Sequence, residues 1–110
     1  MKVSWPVEIL GTGAYLPTRV ITNEELSRRV DTSDEWIVQR TGIRERRQVA
    51  PGEATLALAT HASRAALDDA HVTPAEIDLI IVATATPEQP LPATACLLQA
   101  ALGCGWIPAY

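Results

Sequence analysis

Apolar runs and helical repeats alternate along the chain. Residues 79–83 form a continuous apolar run without polar alternation, which predicts a strand buried on both faces. Shorter apolar runs at 7–10 and 107–110 predict two more strands. Residues 55–70 are rich in alanine and leucine at helical spacing, so this stretch predicts a long helix that packs closely on a sheet. The alternation of strands and helices predicts an α/β fold.

Capping residues mark the starts of further elements. Three Thr–Glu pairs have the spacing of a capping box: Thr22 and Glu25, Thr32 and Glu35, and Thr73 and Glu76. They predict a helix ending near residue 30, a helix over 33–40 that stops before Gly42, and a single turn after the third pair. Pro92 predicts the start of another helix, which ends at Gly103.

Charge is distributed unevenly over the 110 residues. A content of 47% hydrophobic and 20% charged residues is typical of a soluble globular protein, and a net charge of −4 argues against a general nucleic-acid binder. Four of the nine basic residues fall within eight positions: Arg40, Arg44, Arg46 and Arg47. This arginine-rich patch is either a solvated face or a site for anions. The charge also argues against a central strand at residues 43–49 and favours an edge strand or an extended connection.

The Gly-Thr-Gly motif and the two histidines do not predict a ligand site. The Gly-Thr-Gly at 11–13 lacks the third glycine of a dinucleotide-binding fingerprint, because Leu16 stands in its place. His61 and His71 lie ten residues apart with no cysteine or carboxylate cluster at ligand spacing, so we expect surface positions for both and no metal.

The two cysteines favour a reducing compartment. Cys96 and Cys104 match no zinc pattern and no disulfide framework. We expect Cys96 to be a buried small hydrophobic residue of a helix rather than a nucleophile, and Cys104 has no identifiable base. Residues 1–7 lack the apolar core of a signal peptide, and no apolar run approaches the roughly 20 residues that span a bilayer. These features predict a cytoplasmic protein that does not bind membranes.

The predicted helix over 33–40 carries the most informative side chains. Trp36 and Arg40 lie four residues apart and therefore on one helix face. An indole can stack on an aromatic base and a guanidinium can bind phosphate oxygens, so the pair suits a nucleotide-containing ligand. Spacing alone leaves an alternative open, in which the helix is an ordinary amphipathic one and Trp36 belongs to the core.

The stretch around this helix, DTSDEWIVQRTGIRER at 31–46, resembles a signature of bacterial β-ketoacyl-acyl carrier protein synthase III. Four more segments are similar to that family in order and spacing: GTGAYLP at 11–17, TNEEL at 22–26, IDLIIVATATPE at 77–88 and LPATACLLQAALG at 91–103. The resemblance covers nearly the whole chain from residue 9 onward.

The resemblance implies a thiolase-like, layered α/β/α/β/α fold, with residues 1–110 as its amino-terminal segment. It implies a homodimeric acyltransferase that condenses an acyl-CoA primer with malonyl-acyl carrier protein and starts fatty-acid or polyketide synthesis. Acyl-CoA is then a substrate, and no separate cofactor is expected. Thr32, Trp36 and Arg40 match positions of that family that contact coenzyme A, the tryptophan by stacking on adenine. Leu91 matches a loop position that approaches the acyl pocket of the partner subunit.

The family's catalytic residues are not matched in this sequence. In the family, a cysteine that accepts the acyl group follows the strand that corresponds to residues 108–110, and a histidine and an asparagine come later. Cys96 and Cys104 correspond to other positions, so we expect the 110 residues alone to be inactive. Two alternatives remain: a thiolase-fold acyltransferase of secondary metabolism, and a non-catalytic truncated product.

Overall fold

A computed structural model describes residues 6–110 and divides them into two units. The small unit comprises residues 16–53, and the large unit comprises residues 6–15 and 54–110. The expectation that residues 1–7 lack the apolar core of a signal peptide rests partly on residues 1–5, which lie outside the described residues. None of the described helices is long and apolar enough to cross a membrane.

The small unit is a two-stranded antiparallel sheet with two helices in the connection between the strands. Strand β1 (Arg19–Thr22) pairs with strand β2 (Glu45–Gln48). Helices α1 (Asn23–Ser27) and α2 (Asp34–Thr41) follow β1 in turn. Strand β2 confirms the predicted edge strand, whereas β1 was not predicted, because its four residues are too few to show a clear alternation.

Helix α1 begins as its capping pair predicts and ends earlier than expected. The Thr22 hydroxyl accepts a hydrogen bond from the backbone N–H of Glu25 at 3.2 Å. The Glu25 carboxylate does not return to the cap; it binds Arg19 at 3.0 Å and Arg29 at 2.6 Å. The pair therefore forms half of a capping box, and α1 stops at Ser27 rather than near residue 30.

The large unit contains the predicted long helix. Helix α3 (Thr55–Ala70) has the predicted bounds, and helix α4 (Thr94–Leu102) begins two residues after Pro92. The buried core of this unit consists of Ile80, Ala95 and Leu98, with side chains from α3 packed around it.

A short 3₁₀ turn, Pro74–Glu76, separates α3 from the apolar run that follows and confirms the turn predicted by the third capping pair. The backbone N–H and the hydroxyl of Thr73 both donate to the Glu76 carboxylate at 2.8 Å. These two hydrogen bonds, the backbone one first, hold the pKa of Glu76 below its usual value, because they stabilise the ionised form.

The predicted strands of the large unit are reduced to one parallel bridge. Ile80 pairs with Ala109, and the Ile80 N–H donates to the Pro108 carbonyl at 3.0 Å. The prediction that residues 79–83 are buried on both faces is wrong for the described chain: helices cover Ile80, whereas Ile81 is 73% exposed. Residues 7–10 form no strand, because no described strand pairs with them.

Two glycines of the Gly-Thr-Gly motif bring the backbone against α3. A Cβ atom at Gly13 would lie 2.3 Å from the carbonyl oxygen of Ala62, and one at Gly11 would lie 2.6 Å from the backbone nitrogen of Ala70. The Thr12 N–H donates to the Asp69 carboxylate at 2.9 Å. The glycines thus permit close packing on an alanine-lined helix, which accounts for the motif without a nucleotide.

Gly13→Ala should destabilise the large unit by about 1–3 kcal/mol or more, since the added methyl overlaps backbone atoms that cannot move independently of α3. Gly105→Ala is the control, because a Cβ atom there meets nothing within 4 Å. The free energy of unfolding in urea measures both changes. Equal stabilities for the two variants would contradict the close packing.

Candidate functional site

The ends of α2 are defined by Ser33 and Gly42. The Ser33 hydroxyl accepts a hydrogen bond from the Trp36 N–H at 3.1 Å, and Gly42 closes the helix in a left-handed conformation, with φ of 72°. The helix start therefore corrects the predicted pair of Thr32 and Glu35. Ser33 is the residue with extended backbone directly before the helix, so its hydroxyl, and not that of Thr32, reaches the free N–H groups.

Trp36 and Arg40 contact each other on the exposed side of α2. The Arg40 guanidinium carbon lies 5.2 Å from the centroid of the indole ring, within the range of a cation–π interaction. Trp36 is 54% exposed, and the residue that α2 buries is Ile37. The alternative that placed Trp36 in the core is therefore wrong.

An open cleft of about 350 Å³ lies beside the indole and is lined by Asp31, Thr32, Ser33 and Trp36. The structure thus brings Thr32 and Trp36 to one cleft, and Arg40 adjoins it through its contact with the indole. An exposed aromatic face with a cation against it can bind a flat, electron-rich ring and a neighbouring anion.

The four arginines of the arginine-rich patch fall into two groups, according to whether their side chains form hydrogen bonds inside the small unit. Arg46 donates to the Asn23 side chain at 2.6 Å and to the Ile21 carbonyl at 3.3 Å, and Arg47 donates to the Pro17 carbonyl at 3.1 Å. Arg44 makes no side-chain hydrogen bond or ion pair with the described residues. Two of the four arginines therefore hold the small unit together, and Arg40 and Arg44 are the ones available to a ligand.

The fourth candidate residue, Leu91, belongs to the large unit. It lies in the loop before α4, and its side chain is 83% exposed.

Cys96 differs from its predicted environment. It is exposed on α4 rather than buried, because the buried positions of that helix are Thr94, Ala95 and Leu98. Cys96 and Cys104 line an open cleft together with Trp106, and no histidine or carboxylate lines it.

His61 stacks on Tyr15 with ring centroids 4.6 Å apart. In residues 6–110 no group of three or more His, Cys, Asp or Glu side chains could hold a metal.

Asn23 was missed by the sequence analysis, although it is the most buried polar residue of the small unit, at 1% exposure. Its side chain joins α2 to β2 through hydrogen bonds to Asp34, Ile43 and Arg46. An asparagine at the start of a helix gives no signal of such burial, because asparagine is usually exposed.

Comparison with known proteins gives a consistent result in sequence and in structure. No protein-family model matches the chain. The chain is 61% identical over 103 residues to β-ketoacyl-[acyl-carrier-protein] synthase III of Symbiobacterium thermophilum, a match that covers 94% of this chain and 31% of that protein.

Two solved structures have the same fold as the chain. The 3-oxoacyl-[acyl-carrier-protein] synthase III from Aquifex aeolicus VF5 superimposes with a TM-score of 0.87 at 52% identity, over 93% of this chain and 33% of that one. The priming β-ketosynthase of the R1128 polyketide biosynthetic pathway superimposes with a TM-score of 0.84 at 40% identity, over 91% of this chain and 31% of that one.

These matches define first a class, the α/β enzymes of the thiolase-like fold, of which the chain has a part. Within that class, the chain is homologous to β-ketoacyl-[acyl-carrier-protein] synthase III, as its motifs indicated. It spans about a third of the length of the relatives that it matches.

The corrected helix start leads to a test of stability. Ser33→Ala should destabilise the small unit by about 1 kcal/mol, because it removes the acceptor for the Trp36 N–H. Thr32→Val should cost no more than a few tenths of a kcal/mol, since the buried Thr32 hydroxyl oxygen has no hydrogen-bond partner among the described residues. Urea unfolding compares the two variants. A larger loss of unfolding free energy for Thr32→Val than for Ser33→Ala would show that Thr32 caps the helix.

Proposed function

We propose that the chain is the coenzyme A-binding part of a β-ketoacyl-acyl carrier protein synthase III. In this proposal the whole protein condenses an acyl-CoA primer with malonyl-acyl carrier protein, releasing carbon dioxide, and starts fatty-acid synthesis. The observation that carries the proposal is the half-exposed Trp36, stacked with Arg40 beside the cleft that Thr32 lines.

The chemistry of coenzyme A suits this arrangement. Adenine is a flat ring that stacks on an indole, and the nucleotide phosphates need a cation close to the stacked base. Arg40 lies on the same side of α2 as Trp36, so one helix presents both recognition elements. Thr32 lines the same cleft.

The chemical step is not assigned to the 110 residues. Acyl transfer from coenzyme A needs a thiolate with a lowered pKa, and the decarboxylation that follows needs donors placed at the developing negative charge. Cys96 and Cys104 share their cleft with no base, so neither is proposed as the nucleophile. We propose that the described chain binds substrate and is inactive by itself.

The remaining features of the proposal concern assembly and location. Leu91 approaches the acyl pocket of a second subunit in a homodimer, for which its exposure leaves it available. Acyl-CoA is a substrate, and no separate cofactor is proposed. The two free thiols fit the reducing cytoplasm, which we propose as the location.

A second function has specific support within the same fold. The 40% identity to a priming β-ketosynthase of a polyketide pathway favours a related role, in which the primer starts a polyketide rather than a fatty acid. Primer preference and the choice of carrier protein distinguish the two roles. A thiolase-fold acyltransferase without decarboxylation would release no carbon dioxide, and a non-catalytic product would show no turnover in the intact protein.

Trp36→Ala in the intact protein should lower kcat/KM for acyl-CoA by about five- to 150-fold, which corresponds to the roughly 1–3 kcal/mol of base stacking. Its stability should fall by less than about 1 kcal/mol, because the ring is half exposed. The second half-reaction, in which the acyl group condenses with malonyl-acyl carrier protein and carbon dioxide leaves, should change little. Trp106→Ala removes a fully exposed indole from the large unit and is the control. An unchanged kcat/KM for Trp36→Ala would refute the site.

Arg40→Ala should also weaken the use of acyl-CoA, and the loss should shrink at high salt, since Arg40 is exposed and its attraction to phosphate is screened. Arg28→Ala makes the same change of charge at an exposed arginine that pairs with Glu24 instead. Kinetics at low and high ionic strength compare the two variants. Equal effects of both variants would reduce the role of Arg40 to general electrostatics.

Leu91→Phe should shift primer preference toward shorter or less branched acyl groups, because an added ring fills volume that a longer primer needs. The measurement is the ratio of kcat/KM values over a series of acyl-CoA primers. An unchanged ratio would remove Leu91 from the acyl pocket.

A further inference from the structure

We propose that Asn23 is a positioning residue for coenzyme A binding, which fixes the orientation of α2 and therefore of Trp36 and Arg40. This inference rests on the proposed function of α2. Asn23 makes no hydrogen bond to Trp36 or Arg40, and it acts through the backbone and the first turn of the helix that carries them.

The Asn23 amide makes hydrogen bonds with three other parts of the small unit. Its Nδ2 atom donates to Asp34 Oδ1 at 2.7 Å and to the Ile43 carbonyl oxygen at 2.8 Å. Its Oδ1 atom accepts from Arg46 Nη2 at 2.6 Å. The backbone N–H of Asn23 also donates to the Arg44 carbonyl oxygen at 3.2 Å. Both N–H groups and the oxygen of the side-chain amide are thus hydrogen-bonded inside the protein.

Two of these contacts lie at opposite ends of α2. Asp34 is the first residue of the helix, and Ile43 follows Gly42, which ends it. One amide group therefore holds both ends of an eight-residue helix. A helix of this length is marginal by itself and depends on such contacts for its position. Arg46 in turn connects the same amide to strand β2.

The pattern of donors and acceptors requires an amide. A carboxylate at position 23 could still accept from Arg46 but could not donate to Asp34 or to the Ile43 carbonyl oxygen. It would also place a second negative charge at hydrogen-bond distance from Asp34, where like charges repel. Asn23→Asp therefore keeps the size of the side chain, removes both hydrogen bonds that it donates at the ends of α2, and replaces the one to Asp34 by repulsion.

The experiment uses the intact protein in a background where Trp36 is the only tryptophan. Coenzyme A itself is the probe, its affinity is measured by calorimetry, and the emission of Trp36 reports on the indole environment. Asn23→Asp should weaken coenzyme A binding by about 10- to 100-fold, as expected for a lost hydrogen bond to a charged group. It should also shift the emission of Trp36 at temperatures well below its Tm.

The reciprocal exchange Asn23→Asp with Asp34→Asn tests the geometry directly. An amide at position 34 can donate to a carboxylate at position 23, which still accepts from Arg46, so the contact with position 34 returns and two of the three contacts are made. Binding and emission should recover to within about threefold of the parent affinity, because the unpaired Ile43 carbonyl prevents full recovery. A double variant no better than Asn23→Asp alone would overturn the inference.

A milder pair of variants covers the case in which Asn23→Asp fails to fold. Asp34→Ala removes one contact of Asn23 at an exposed position and should weaken binding by about threefold to tenfold. Glu35→Ala removes the same charge from the same helix turn without a contact to Asn23, and it should leave affinity and emission unchanged. Equal effects of the two variants would overturn the inference.

Ile21→Val separates positioning from general stability. It shortens a buried side chain of the small unit and should lower Tm without moving the emission of Trp36 or the affinity for coenzyme A. If Asn23→Asp behaved in the same way, the role of Asn23 would be structural only. Normal affinity in Trp36→Ala would instead refute the proposed function, whereas weak binding in Trp36→Ala with normal binding in Asn23→Asp would overturn this inference alone.

Discussion

The hydrogen bonds of the buried Asn23 amide hold the small unit together, because this part of the chain has little apolar surface to bury. Within residues 16–53, the buried aliphatic side chains are Ile21 and Ile37, and Pro17 is buried as well. Two such side chains contribute roughly 3–6 kcal/mol between them, far less than the entropy lost on ordering the segment. Asn23 adds three hydrogen bonds, two of them to charged groups, which are the stronger kind.

The same amide explains how the small unit can leave an aromatic ring exposed. Because Asn23 holds both ends of α2, the helix needs to bury only Ile37 for its position, and Trp36 and Arg40 are left at the surface. A binding site requires groups that are held in place and not yet satisfied. The small unit leaves Trp36 and Arg40 exposed on one short helix, whereas the Arg46 and Arg47 side chains are hydrogen-bonded within the unit.

The large unit is built on a different constraint, the close approach of backbone to helix. Gly11 and Gly13 lie against the alanines of α3 at distances that no Cβ atom tolerates. In the same unit, Ile80 packs into the core while Ile81 remains exposed. One face of the parallel pair is thus covered, and the other, with Leu79 and Ile81, is apolar and open.

The sequence by itself determined the features that depend on neighbouring residues. These include the bounds of α3, the left-handed end of α2 at Gly42, the turn held by Thr73 and Glu76, and the motifs that identify the homologous family. Each of these depends on the backbone preference or hydrogen bonding of residues within a few positions of one another, so a local pattern carries the information.

Only the tertiary structure decided which side chains are buried and which contacts join distant positions. It exposed Trp36 and Cys96, divided the arginines into structural and available ones, moved the cap of α2 to Ser33, and placed Asn23 in the interior. A tryptophan on an amphipathic helix has the same spacing in a core as in a binding site. Burial depends on what packs against a residue from elsewhere in the chain, and no local pattern records that.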